Sequence, residues 1–130
     1  HTYYDEIGIG IDFTARDIQA KAKAKGLPWA EAKGFDGSAP LGTFISKSEF
    51  DNVQNIEFSL LKNGETVQKG NSKDMIFTID KLIAYVSLFV TLKIGDLIFT
   101  GTPEGVGPVQ KEDILEAFIG DKRLLRTKVK

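Results

Sequence analysis

Residues 56–69 read IEFSLLKNGETVQK, and this stretch decides much of the fold. Two short runs, 56–61 and 65–69, flank the dipeptide Asn63-Gly64. Asn-Gly tolerates the positive φ angles of a two-residue turn, and the twist of that turn matches the twist of paired strands. The pattern therefore predicts a β-hairpin at this point of the chain.

Upstream of the hairpin, the sequence predicts one strand followed by one helix. Residues 7–11 alternate branched apolar residues with glycine, which is typical of a strand with one face closely approached by other backbone. Residues 15–25 are strong helix formers, and Gly26 followed by Pro28 indicates where this helix stops.

Downstream, apolar residues recur at helical spacing between residues 79 and 90, with Asp80 near the start of the segment. The pattern predicts a second helix whose apolar stripe belongs to the core. We expect Met75 and Ile76 to pack there as well. The stripe consists of Ile79, Leu82, Ile83, Val86, Phe89 and Val90.

Three further strands are predicted, at residues 97–100, 114–119 and 124–129. Two helices among many short strands and glycine-rich turns indicate an α+β fold that is mainly β. With 130 residues, the chain has room for a single domain, residues 1–130.

Composition excludes several classes of function. Seventeen basic and eighteen acidic residues give a net charge of −1, so no patch for nucleic acid or an anionic membrane is expected. The longest apolar run, residues 82–92, is shorter than the ~20 residues that cross a bilayer. Cysteine is absent, which excludes disulfides and thiol chemistry, and we expect the protein to be cytoplasmic.

The chain has no initiator methionine and opens with His1-Thr2-Tyr3-Tyr4. This opening suggests that the sequence starts within a longer protein. His1 is the single histidine, and at a chain end it is expected to be a frayed terminus rather than a catalytic base.

The first candidate for chemistry is the segment that begins at Asp12. A carboxylate at the end of a glycine-rich strand has little freedom, as a metal ligand requires. If a helix starts near Ala15, Arg16 and Gln19 share one face and can clamp a substrate carboxylate. From spacing alone the simpler alternative is favoured, in which Asp12 caps the helix and Arg16 and Asp17 are solvated charges.

Two loops supply further candidates. Lys33 follows a small residue and precedes Gly34-Phe35 in a stretch that reads as a loop, where a desolvated ammonium could stabilise a developing enolate. A solvated surface lysine is the favoured alternative on spacing alone. In residues 101–107, GTPEGVG, glycines permit close backbone approach and Thr102 offers a hydroxyl, but the loop alone indicates no specific chemistry.

Together these segments resemble the fumarylacetoacetate hydrolase family, in its acylpyruvase-like branch. The order and spacing of the motifs match over essentially the whole chain. The matching stretches are residues 11–19, 25–29, 32–36, 63–65 with Gln68, 74–77, 95–96 and 101–107.

The resemblance implies a mixed β-roll, a homodimer and a Mg²⁺ or Mn²⁺ ion held by three carboxylates, of which Asp12 matches the third. It also implies that Arg16, Gln19, Lys33 and Thr102 hold a 2-oxo acid and the charge that develops on it. The family's Glu-x-Glu ligand pair and histidine base precede the position of Ile7 and have no match here. Residues 1–130 are therefore expected to be an N-terminally truncated, partial catalytic domain.

The implied activity is hydrolysis of a carbon–carbon bond in an acylpyruvate through a metal-bound enolate, with Lys33 as a catalytic cation. Oxaloacetate decarboxylation or tautomerisation and hydroxyhepta-dienedioate isomerisation share that enolate and are the alternatives. A different alternative is a non-catalytic fragment. Residues 111–113, KED, depart from the Gly-Asp common in relatives, and we expect a changed turn there.

Overall fold

The computed structural model describes residues 3–130, and His1 lies outside them. Its class is α+β and mainly sheet, as predicted, with two longer helices. In chain order the elements are β1 (Glu6–Ile7), α1 (Arg16–Ala24), α2 (Ala30–Lys33), β2 (Ile45–Ser46), β3 (Glu57–Lys62), β4 (Glu65–Asn71), α3 (Ile79–Val86), β5 (Ile114–Ile119) and β6 (Lys122–Lys128). Short 3-10 turns occupy Lys47–Glu49 and Ser72–Asp74.

A four-stranded sheet in the order β4-β3-β5-β6 forms the centre of the fold, and each neighbouring pair is antiparallel. The predicted hairpin joins β3 to β4, and its turn residues Asn63 and Gly64 have φ angles of 52° and 86°. These two positive angles are those of the expected turn. The prediction made from residues 56–69 is confirmed.

The core lies on one face of this sheet. Alternate residues of β5 are buried, because successive side chains of a strand point to opposite faces. The buried apolar residues are Ala32, Ile45, Ile56, Leu115, Ala117, Ile119 and Leu125.

Loops approach both outer strands of the sheet. Beside β6, the amide of Thr43 donates to the carbonyl of Leu124 over 2.9 Å. Beside β4, a Cβ at Gly105 would lie 2.2 Å from the carbonyl oxygen of Val67, so this loop touches the strand backbone. Each outer strand is therefore covered in part by a loop, and the loop beside β4 carries the candidate residue Thr102.

The glycine-rich strand at residues 7–11 forms only in part. β1 pairs antiparallel with β2 and ends at Ile7, and an isolated antiparallel bridge joins Gly10 to Leu41. The expected close approach exists, but side chains make it rather than backbone. A Cβ on Gly8 would lie 2.8 Å from the ring of Phe44, and one on Gly10 would lie 3.0 Å from the ring of Phe99.

The predicted first helix is confirmed as α1, with Gly26 at φ 63° after its end. The second helix ends at Val86 instead of reaching residue 90. Its assignment to the core is wrong in part, because Phe89 is 72% exposed and Val90 53% exposed. Ile76, also expected to pack, is 92% exposed. No residue of α3 itself is fully buried.

Residues 97–100, predicted as a strand, are not paired with any strand in the described part of the chain. A strand requires a hydrogen-bonded neighbour, and apolar pattern alone does not supply one. The two strands predicted at the C-terminus are present as β5 and β6. Across residues 3–130, no helix is long and apolar enough to cross a membrane.

The unusual turn at residues 111–113 adopts a left-handed conformation at Glu112, with φ 76°. The amide of Glu112 donates to the carbonyl of Val129 over 2.8 Å. The next residue, Asp113, accepts from the amide of Gln110 and from Asn63 Nδ2, both over 2.8 Å. The Gln110 amide bond, followed by the Asn63 bond, lowers the pKa of Asp113 below its ordinary value. Strain at Glu112 is thus held in place by bonds on both sides of it.

Replacing Glu112 by glycine should raise the free energy of unfolding by about 0.5–1 kcal/mol, because glycine adopts this conformation without the Cβ penalty and loses part of that gain as chain entropy. Urea unfolding of the purified protein measures the change. Glu112→Gln is the matched control, since it removes the charge and keeps the Cβ. A glycine variant no more stable than the glutamine variant would show that the turn is not strained.

Candidate functional site

The segment that carries Asp12 is held extended by the loop after α2. Its amides donate alternately, Ile11 to the carbonyl of Pro40 and Phe13 to that of Ser38, over 3.0 and 2.8 Å. Ala15 continues the series with a 3.0 Å bond to the carbonyl of Ala32. Because alternate amides are used in this way, the side chains at positions 12 and 14 share one side of the segment.

Lys33 binds both of those side chains. Its Nζ donates to Asp12 Oδ2 over 2.7 Å and to Thr14 Oγ1 over 2.8 Å. Two of the three ammonium protons are thereby used among the described residues, which leaves one for a ligand. The side chain of Lys33 is about one-third exposed and that of Asp12 about half exposed. Lys33 is thus a fixed cation beside a carboxylate.

These contacts correct two expectations. Asp12 does not cap α1, whose N-cap residue is Ala15 and has no side-chain capping bond. Lys33 is not in a loop but is the last residue of the four-residue helix α2. The sequence reasoning also missed Thr14. The available signal was its position two residues after Asp12 in an extended segment, which puts both side chains on one side.

Arg16 and Gln19 lie one helical turn apart at the start of α1. Arg16 Nη1 donates to Gln19 Oε1 over 3.0 Å, as expected for residues that share a helix face. Since Oε1 accepts from the arginine, the amide nitrogen of Gln19 is left to donate. Arg16 is exposed and Gln19 is partly buried.

Thr102 sits in the glycine-rich loop that follows residues 97–100. Its hydroxyl oxygen accepts a 2.9 Å hydrogen bond from Gln68 Nε2, on strand β4. The segments that lead to Thr102 and to Asp12 are in contact, since Phe99 lies against Gly10.

One open cavity of about 1500 Å³ is lined by four of the five candidate residues, Asp12, Arg16, Lys33 and Thr102. Gln19 is not among the residues that line the cavity, but it accepts a hydrogen bond from Arg16, which does line it. Tyr4 also lines the cavity. Burial and, less strongly, the charge of Asp80 raise the pKa of Tyr4, so its hydroxyl stays protonated at neutral pH.

The described residues supply few of the ligands that a divalent metal ion needs. Within residues 3–130, no three histidine, cysteine, aspartate or glutamate side chains form a group that could hold a metal. Asp12 is a single carboxylate and is already paired with Lys33. Mg²⁺ requires near-octahedral oxygen ligands and dehydrates reluctantly. The described residues therefore do not fit a complete metal site by themselves.

Comparison with known proteins shows which family the chain resembles. The family model described as fumarylacetoacetate (FAA) hydrolase C-terminal matches residues 7–130. The chain is 50% identical over 123 residues to oxaloacetate tautomerase YcgM of Escherichia coli (strain K12). That alignment covers 94% of this chain and 56% of the relative, so the chain spans about half the length of the protein it matches.

Solved structures give the same result. A fumarylacetoacetate hydrolase family protein from Yersinia pestis CO92 superposes with a TM-score of 0.91 at 44% identity, covering 97% of this chain and 59% of that one. Fumarylpyruvate hydrolase from Pseudomonas aeruginosa, solved in complex with Mn²⁺ and pyruvate, superposes with a TM-score of 0.86 at 36% identity. In that comparison 94% of this chain and 52% of the other are covered.

The bond from Lys33 to Thr14 should contribute to stability. Thr14→Val keeps the shape and removes the hydroxyl, and should lower the free energy of unfolding by about 1 kcal/mol. Thr14→Ser, which keeps the hydroxyl, should have a much smaller effect in the same urea titration. In a Lys33→Met background Thr14→Val should cost nothing further, and an equal loss in both backgrounds would contradict the assignment.

Proposed function

The chain belongs to the fumarylacetoacetate hydrolase family, and we propose that the protein carrying it interconverts the enol and keto forms of oxaloacetate. The observation that supports this most directly is the fixed Lys33 ammonium on the wall of the cavity, with one proton left for a ligand. The proposed reaction is that of the oxaloacetate tautomerase with which the chain shares 50% sequence identity over 123 residues.

Tautomerisation of the enol removes the proton of its oxygen and adds a proton to the carbon next to the one that bears this oxygen, which forms the carbonyl group. Between these two proton transfers lies an enolate, with negative charge on the oxygen. A preorganised cation stabilises such charge more than it stabilises the neutral ground state. Asp12 and Thr14 hold the ammonium in one place, so little reorganisation is needed when the charge appears. We assign this role to Lys33.

The substrate carboxylate requires donors of its own. We assign it to Arg16, whose planar guanidinium can donate two parallel hydrogen bonds, and to the hydroxyl of Thr102. Gln19 holds the Arg16 side chain and adds an amide donor. All of these side chains bind anions as donors, which fits a small 2-oxo acid.

The same proposal makes Asp12 one ligand of a divalent metal ion, Mg²⁺ or Mn²⁺, whose other ligands come from outside residues 3–130. The solved Pseudomonas aeruginosa relative contains Mn²⁺. We further propose that the protein acts as a homodimer.

A second candidate is hydrolysis of an acylpyruvate, because a solved relative is a fumarylpyruvate hydrolase in complex with pyruvate. Hydrolysis also leaves an enolate after carbon–carbon cleavage, so Lys33 would have the same task. The two activities differ in whether water attacks a carbonyl of the substrate.

Full-length protein with Mn²⁺ should accelerate the decay of enol-oxaloacetate absorbance with turnover of ~1–10³ s⁻¹. Lys33→Met should lower kcat by about 10²-fold, as expected when a donor to a developing oxyanion is removed. Residues 1–130 alone should give no acceleration above the metal background. Acetylpyruvate is the comparison substrate, and faster cleavage of it would favour the hydrolase.

Arg16→Lys keeps the charge and loses the two-pronged geometry, so KM for oxaloacetate should rise about tenfold, the loss of one charge-assisted hydrogen bond. Arg126→Lys, on strand β6, is the matched control and should leave the kinetics unchanged. Steady-state measurements on both variants decide the matter. Equal kinetics for Arg16→Lys and the wild type would remove Arg16 from the substrate site.

A further inference from the structure

Gln68 contacts the loop of residues 101–107 at three points. From strand β4 its Nε2 donates to Thr102 Oγ1 over 2.9 Å, to the carbonyl of Pro103 over 3.0 Å and, more weakly, to the carbonyl of Glu104 over 3.3 Å. Its side chain is partly buried, whereas Thr102 is exposed. A single amide therefore ties three successive loop residues to the sheet.

The packing around this amide leaves little room for the loop to move. A Cβ at Gly105, whose φ is 94°, would lie 2.2 Å from the carbonyl oxygen of Val67. A Cβ on Gly70 would lie 3.0 Å from Pro103 Cβ. Strand β4 thus meets the loop on both sides of Gln68, which keeps the amide against the same three oxygens.

These contacts also fix which atom donates. Backbone carbonyl oxygens accept and never donate, so the group that faces Pro103 and Glu104 must be the NH₂ of the amide. The same NH₂ reaches Thr102, whose hydroxyl oxygen therefore accepts. A threonine hydroxyl that accepts from one neighbour retains its own proton for donation to another. The proton of Thr102 is thereby left available for an anion.

We infer that Gln68 is a positioning residue, which sets the Thr102 hydroxyl as a donor to the carboxylate of a bound 2-oxo acid. The inference rests on the proposed function, because it needs a 2-oxo acid beside Thr102. In this role Gln68 acts on the loop of residues 101–107 and not on a reacting atom. Its effect on binding passes entirely through Thr102, and that separates this role from a general structural one.

Gln68→Glu tests the polarity directly. At pH 8 the introduced carboxylate can only accept, so it takes the proton of Thr102 and faces two carbonyl oxygens without a donor. The Kd of pyruvate, measured by calorimetry on the full-length protein with Mn²⁺, should rise about tenfold relative to wild type. Gln110→Glu adds the same charge at an exposed position and should leave the Kd unchanged.

A double-mutant cycle completes the test. Gln68→Glu combined with Thr102→Val should bind pyruvate no more weakly than Thr102→Val alone, since the valine leaves no hydroxyl to orient. If Gln68→Glu does not fold, Gln68→Met in the same cycle should weaken binding only when Thr102 is present. Additive losses or wild-type affinity in Gln68→Glu would overturn the inference. Wild-type protein that binds no pyruvate would instead overturn the proposed function, and this inference with it.

Discussion

The candidate site depends on the alternating backbone hydrogen bonds between residues 9–15 and residues 32–42. Since these bonds use every second amide, they fix both the extended shape of the first segment and the side on which Asp12 and Thr14 lie. The last bond of the series ends at the carbonyl of Ala32, a fully buried residue, and Lys33 follows it directly. The same ladder thus sets both acceptors and the position of the ammonium that binds them. Without it, an exposed lysine–aspartate pair would contribute little and would not keep one geometry.

The parts of the fold that the sequence predicts are those specified by neighbours along the chain. Asn63-Gly64 determines its own backbone angles and so the hairpin, and the two C-terminal strands are adjacent and pair with each other. The strand predicted at residues 97–100 does not form, because a strand needs a hydrogen-bonded neighbour from another part of the chain. The apolar stripe of residues 79–90 was correctly assigned to a helix, at least up to Val86. Its burial was not, because burial depends on what covers the helix.

The same distinction explains the site. Spacing alone favoured a helix cap for Asp12 and a solvated side chain for Lys33. Only the combined motifs indicated chemistry, because 21 residues separate the two ends of their 2.7 Å ion pair. Thr14 and Gln68 were missed as functional residues because their partners are 19 and 34 residues away. A glutamine on a strand has no local feature that predicts three acceptors in a distant loop. Such contacts become visible only when the strand and the loop are placed together.

The sheet itself explains why the two loops can be held so firmly. Outer strands β4 and β6 present unpaired backbone groups, which in other proteins invite pairing with another chain. Here residues 42–43 lie against β6 and residues 101–107 lie against β4, so the loops cover part of each edge. Glycines at positions 42 and 105 permit this approach, since a Cβ at either would lie within 3 Å of a strand carbonyl oxygen. The same loop contacts therefore cover the sheet edges and hold the segments of Lys33 and Thr102 at one cavity. A loop that left the sheet would expose a strand edge and would also displace part of the cavity wall.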